Sequence, residues 1–170
     1  MDVIDAIRKR RSIRKYSPRD VEEEKLDLVL EAARLSPSAR NLQDWKFIVV
    51  KDAEMIKKLA VACSNQTFVA GAPVFIAACG TNAGPLMKCG QPRYTVDLSI
   101  AMSYILLEAF DLGLGTCWLG SFDEKKVKEL LAVPDDVRVV AVTPLGYPEI
   151  SPAPTARKPM SDIVCRERYS

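Results

Sequence analysis

Apolar residues return at helical spacing in five stretches of the chain and crowd into β-rich runs in four others, and that contrast predicts the elements. Val3, Ile4 and Ile7 make the apolar side of a short N-terminal helix. Asp20 followed by Glu23 reads as a capping box, and Leu26, Val29, Leu30 and Ala33 then repeat over a helix spanning 21–35. Residues 45–50, rich in β-branched and aromatic side chains, predict a strand, followed by a helix at 53–62 and a second strand at 73–79. A helix over 95–112 ends at Gly113 and Gly115. A short strand at 116–119, a helix capped by Asp123 and running to Leu131, and a last strand at 138–145 complete the series.

Two stretches stand apart from this rhythm. The 80–93 segment carries glycines and prolines with little periodicity, which marks a long loop of the kind that often carries function, here a candidate lid. In the 95–112 helix, Leu98, Ala101, Met102, Ile105, Ala109 and Leu112 form one side while Ile100, Tyr104 and Leu107 occupy the other, so the helix should be buried nearly all round. In a domain this small, part of that cover is expected from a second subunit. Strands alternate with helices without strict βαβ regularity, which favours an α+β sandwich over a doubly wound sheet. Proline is frequent from Ser151 to Pro159, predicting an extended surface run, and Met160 to Tyr169 are too apolar to hang free.

Composition narrows the chemistry. The chain has 170 residues, 48% of them hydrophobic, enough for one self-sufficient domain. It contains no histidine, which excludes Ser-His and Cys-His catalysis and any imidazole metal site. Its five cysteines are odd in number and not closely paired, so they read as free thiols of a reducing compartment. A net charge of +2 argues against a polycation built for nucleic acid. The start is amphipathic and charged, unlike a secretory signal, and no apolar run reaches bilayer length, so a cytoplasmic protein away from membranes is expected.

Against that near-neutral background, Arg10, Arg11, Ser12, Arg14 and Lys15 concentrate positive charge where the first helix ends. Guanidinium forks and a hydroxyl suit phosphate oxygens, although such a cluster can equally be a solvated helix end. Three further segments follow in order: Ser36-Pro37-Ser38-Ala39-Arg40-Asn41-Leu42-Gln43-Asp44-Trp45; Leu112-Gly113-Leu114-Gly115-Thr116-Cys117-Trp118-Leu119-Gly120; and Leu145-Gly146-Tyr147-Pro148 before Arg157-Lys158-Pro159.

Together these segments resemble the FMN-dependent nitroreductase family over essentially the whole chain. The resemblance implies a single FMN-binding domain over residues 1–170. Its fold would be an α+β three-layer sandwich with a mixed, mostly antiparallel sheet flanked by helices, and a C-terminal tail exchanged across a homodimer. FMN would lie at the interface, reduced by NADH or NADPH and reoxidised by nitroaromatics, quinones or related acceptors. Arg10, Arg11, Ser12 and Arg14, with Arg157 or Lys158, would hold the phosphate, and Arg14 would also reach the ring. Pro37, Ser38, Ala39 and Asn41 would touch the ring system from the neighbouring subunit, and Asn65 and Gln66 its pyrimidine edge. Leu119, Gly120 and Ser121 would bring a backbone N–H to the ring, with Gly120 allowing close approach. No side chain is required as a catalyst, because the cofactor carries the chemistry, and no metal is implied. Asp44 stands where the family often has proline, and the 80–93 loop replaces a longer excursion. The alternatives are a flavin reductase, a dehalogenase-like enzyme or a flavin binder without turnover in the same fold, and, from another class, a basic interaction module for polyanions.

Overall fold

A computed structural model describes residues 2–169. Its helices are α1 (Val3–Lys9), α2 (Glu23–Arg34), α3 (Ala53–Ala62), α4 (Arg93–Asp111) and α5 (Glu124–Leu131), and its strands β1 (Trp45–Val50), β2 (Val74–Gly80), β3 (Gly115–Thr116) and β4 (Arg138–Gly146). The sheet runs β1-β2-β4-β3 with every neighbour antiparallel, and a single parallel bridge joins Ser12 to Thr116 beside β3. The expected α+β architecture and mostly antiparallel sheet are therefore present.

Side-chain alternation along β2 builds two cores. Val74, Ile76 and Ala78 pack with Val29, Leu98, Met102 and Ile105 of α2 and α4, whereas Phe75, Ala77 and Cys79 pack with Ile56, Leu59 and Val127 of α3 and α5. Helices thus cover both sheet faces, giving three layers. The register shifts between Ala78 and Cys79, where Ala141 and Val139 are the successive partners, so β4 carries an extra residue at Val140. Val139 and Val142 consequently both join the α3–α5 core although they lie three residues apart.

Several boundaries differ from the sequence expectation. α2 begins at Glu23 and its N-cap is Glu22, with no side-chain cap. Asp20 and Glu23 form no capping box, because the helix is capped at Glu22 and the Glu23 carboxylate pairs with Lys51 instead; Glu22 accepts from Arg19 and from the Tyr147 hydroxyl at 2.7 Å. The strand expected at 116–119 pairs in ladder form only at Gly115–Thr116, with Leu119 returning as an isolated bridge to Val142. The 81–92 connection is an ordered hairpin, closed by Met87 N–H to Gln91 O at 2.8 Å and a Leu86–Pro92 bridge. α4 is covered on its core side, but Tyr104 is exposed and Ile100 and Leu107 are half-buried in the single chain. Residues 151–169 are likewise exposed, Met160, Ile163 and Val164 included. Among the described residues no helix is long and apolar enough to cross a membrane.

Candidate functional site

Close packing of glycine sets where the N-terminal basic segment lies. Ile13 is buried and donates its N–H to Thr116 O at 2.8 Å, and a Cβ on Gly115 would stand 2.5 Å from Ile13 Cγ1. Only a missing side chain lets residues 10–16 run this close to β3. Tyr16 closes the other end of the segment, its hydroxyl donating to Ile13 O at 2.8 Å. Ser17 N–H then bonds Tyr147 O and Glu149 N–H bonds Lys15 O, which stitches the basic segment to the start of the C-terminal tail. Lys15 is engaged by Glu149 at 2.8 Å.

Arg10 is half-buried at the C-terminal end of α1 and lines a cavity of about 130 Å³ with Phe110, Gly113, Leu114, Thr116 and Pro148. Burial, and then the positive charges of Arg157 and Arg11, lower its affinity for a proton. Two arginines from opposite ends of the chain are thus near enough to repel, and no carboxylate among the described residues forms an ion pair with either. An anion between them would relieve that repulsion with charge-assisted hydrogen bonds. Arg157 itself is exposed and bonds Thr155 Oγ1 at 2.8 Å, and Lys158 beside it is exposed. Arg11 turns back instead, both bonds of its Nη1 going to the carbonyls of Arg8 and Arg10 at 2.7 Å, so it caps its own helix.

Arg14 projects over the Phe68 ring, 5.9 Å from its centroid. Ser12 lies beside the buried Cys117 thiol, whose proton affinity burial raises while Arg14, Ser12 and Arg10 oppose the rise. Along the same edge, Ser64 Oγ lies 3.1 Å from Ser121 Oγ, and Gln66 Nε2 donates to Ser121 O at 3.2 Å. Ser64 and Asn65 both hold left-handed backbone, φ 57° and 56°, which turns the chain out of α3 toward Ser121. Asn65 keeps its side chain exposed. The N–H of Leu119 is taken by Val142 O at 2.9 Å, whereas those of Gly120 and Ser121 have no acceptor among the described residues. Beside Gly120 the space is filled by Trp118, whose ring atoms would lie 3.0 Å from an added Cβ. Trp118, Phe68 and Cys117 were not singled out as site residues by sequence. Only the exposed position of Trp118 between buried Cys117 and Leu119 in a strand-like alternation signals it.

The turn containing Pro37, Ser38, Ala39 and Asn41 is elsewhere in the chain. Ala39 N–H donates to Asp97 Oδ1 at 3.1 Å, near the start of α4, while Gly113 and Phe110 at the other end of α4 line the Arg10 cavity. Asp97 and Asp111 are separated by roughly 20 Å along the helix axis. The sheet register gives the same separation: Trp45 pairs with Gly80, and Leu145, the neighbour of Thr116, pairs with Val74 at the far end of β2. One chain therefore gathers Arg10, Ser12, Arg14, Arg157, Gln66 and Ser121 along one edge and holds residues 37–41 at the opposite corner.

The pattern that defines the Nitroreductase family matches residues 7–91 and 61–147, together most of the chain. The chain belongs to the nitroreductase family. A provisionally named NADH dehydrogenase/NAD(P)H nitroreductase from Methanothermobacter thermautotrophicus is 41% identical over 157 residues, covering 89% of this chain and 80% of that protein. Among solved structures, a nitroreductase family protein from Clostridium novyi NT superposes with TM-score 0.83 at 36% identity, covering 88% of this chain and 86% of that one. An FMN-dependent nitroreductase from Clostridium difficile R20291 superposes at 0.78 with 33% identity and 98% coverage of both chains. Arg10, Ser12, Arg14, Gln66, Ser121 and the 37–41 corner fall inside the residues matched by the family pattern, and Arg157 lies beyond them.

Proposed function

We propose that this nitroreductase-family chain is an FMN-dependent oxidoreductase that takes hydride from NADH or NADPH and delivers it to nitroaromatic, quinone or related acceptors by a ping-pong mechanism. The observation that carries the reading is Arg10, half-buried on a cavity of about 130 Å³, with Arg157 near enough to repel it and no ion-pair partner for either among the described residues, which suits a phosphate monoester. Relatives support the cofactor and the donors: one from Bacillus subtilis is named FMN reductase [NAD(P)H], and a Vibrio harveyi structure is an NADPH:FMN oxidoreductase in complex with NAD+.

The residues fit that group. Arg10, Arg157 and Lys158 hold the phosphate, and three or four such charge-assisted bonds, each worth about 1.5–3 kcal/mol, retain it without a covalent link. Arg14 lends positive charge to the ring, and the free N–H groups of Gly120 and Ser121, steadied by Ser64 and Gln66, offer donors along its edge. Ser12, bridged to Thr116, fixes the strand that presents them. Bound there, FMN supplies a flat centre that accepts and returns hydride. Because residues 37–41 lie at the far end of α4, they serve the site of a second copy, so the active form is a homodimer with FMN at its interface. The uncovered α4 side and the exposed apolar tail, exchanged between copies, are the surfaces that such a dimer buries. The unpaired thiols Cys63, Cys79 and Cys117, all buried, and the exposed Cys89 suit a cytoplasmic setting.

The test is the absorption spectrum of the purified protein, then anaerobic addition of NADH and NADPH. A flavin band bleached by either nucleotide supports the reading, and protein that stays colourless after incubation with FMN refutes it. Colour that neither nucleotide bleaches indicates binding without turnover, and salt-sensitive binding of polyanions by a colourless protein indicates the interaction-module reading. Arg10→Ala is expected to lose most bound FMN while keeping the dimer. Full retention of FMN would remove Arg10 from the phosphate site.

A further inference from the structure

Asp44 and Arg93 come from segments 49 positions apart and form an ion pair, their side chains only 24% and 13% exposed. Around them two otherwise separate pieces of chain meet. The turn ahead of β1 holds three non-glycine residues in left-handed conformation, Arg40 at φ 55°, Asn41 at 55° and Gln43 at 54°. Such backbone persists only where its surroundings over-determine it. Ser38 Oγ accepts from Gln43 N–H at 3.1 Å inside the turn, and Asp97 Oδ1 holds Ala39 N–H from α4. The downstream end is fixed by Asp44. Its backbone carbonyl accepts Thr81 N–H at 3.1 Å, and its carboxylate accepts Asn82 Nδ2 at 3.3 Å as well as the Arg93 guanidinium. Thr81 and Arg93 bracket the 81–92 hairpin, so one carboxylate ties both feet of the hairpin to the strained turn.

The arrangement is costly if its only purpose is to hold the fold together. Arg93 Nε is buried without a hydrogen-bond partner, which a stability device would avoid. Neither residue touches the Arg10 edge, so neither binds the phosphate of its own chain.

We propose that Asp44, through Arg93 and Asn82, is a positioning residue: it locks the 37–43 turn and the 81–92 hairpin into one rigid wall that closes over the flavin of the partner subunit. The inference rests on the flavin reading above and adds to it a latch that sets the shape of the site from 37 to 43. The residue that replaces the family's frequent proline thereby does by an ionic clamp what a fixed φ does by covalent geometry.

The experiment compares the intact protein with Asp44→Asn, Arg93→Met, the double variant and Asn82→Ala. Flavin-stripped protein is titrated with FMN by fluorescence, thermal unfolding is followed by circular dichroism, and dimer content by gel filtration. A positioning role predicts that either single substitution weakens FMN binding roughly tenfold and that the double variant is no weaker, because each breaks the same latch. It also predicts that melting falls in the single variants and recovers in the double one, where no unpaired buried charge is left. Loss of affinity would then part company with loss of stability. Asn82→Ala, on an exposed residue, is predicted to weaken FMN binding a few-fold with an unchanged melting temperature, and decides the matter if the charged variants do not fold. Recovery of FMN affinity together with melting in the double variant overturns the proposal, as does unchanged affinity in both Asp44→Asn and Asn82→Ala. Failure of the parent protein to bind FMN refutes the flavin reading itself and the latch with it.

Discussion

Substituting Gly115 by alanine tests how the basic segment is held. An added Cβ would meet Ile13 Cγ1 at 2.5 Å, Cβ at 2.8 Å and Cγ2 at 3.0 Å. Ordinary contact needs about 3.4 Å or more, so Ile13 must retreat by roughly 1 Å. It has nowhere easy to go, being buried against Tyr16 and Ala72 and bonded through its N–H to Thr116. Overpacking of this kind costs about 1–3 kcal/mol, of which some tenths are returned because alanine restricts the unfolded chain. A net loss on the order of 2 kcal/mol corresponds, for a domain this size, to a fall of roughly 5 °C in melting temperature. The same displacement shifts Arg10 and Arg14, so FMN affinity is expected to fall roughly tenfold, the equivalent of losing one charge-assisted phosphate bond of about 1.5 kcal/mol. Calorimetry and fluorescence titration measure the two effects. An unchanged melting temperature together with FMN affinity within a factor of two would refute the claim that close packing at Gly115 sets the cluster.

Other expectations concern parts further from the phosphate. The Tyr147 hydroxyl is the main cause of the Glu22 carboxyl lying at about 2, below its ordinary 4.5. A depressed carboxyl stabilises the fold above its unfolded value and loses that contribution as pH falls from 4.5 toward 2. Tyr147→Phe is therefore predicted to be less stable at neutral pH and to lose less on acidification, read from melting temperatures across that range; parallel curves for both proteins would refute it. The buried thiols of Cys63 and Cys79 are pushed up to about 11 by desolvation, and Cys117 is buried as well. Thiol labelling of the native protein should modify Cys89 quickly and these three only on unfolding, as mass spectrometry of the labelled peptides would show.

Much of this was legible in the order of residues. β1 and α3 coincide with the expected 45–50 and 53–62 because local signals agree there: a β-rich run, then Asp52, whose carboxylate accepts Met55 N–H at 2.7 Å. The Asp20–Glu23 signal misled because Lys51 takes the Glu23 carboxylate, and no local pattern reports a partner 28 positions away. The same holds for the site. Arg10, Ser12 and Arg14 were recognisable by type, yet that Arg11 turns back on its helix depends on where α1 stops, and that Trp118 fills the space beside Gly120 depends on how the edge strand twists. The Asp44–Arg93 latch was invisible for a related reason. In the sequence Asp44 is only a departure from the family's frequent proline, and its role depends on a hairpin whose two feet meet it in space.

α4 also has a genetic consequence. Because the phosphate cluster lies at one end of this helix and the 37–41 turn at the other, each chain of the proposed dimer gives half of itself to each of two sites. A chain crippled at Arg10 and another crippled at the turn, paired together, would combine both lesions in one site and leave the other wholly intact. Two inactive alleles would complement each other to about half of the native activity per mixed dimer, whereas a chain carrying both lesions would spoil both sites of any native partner it joined.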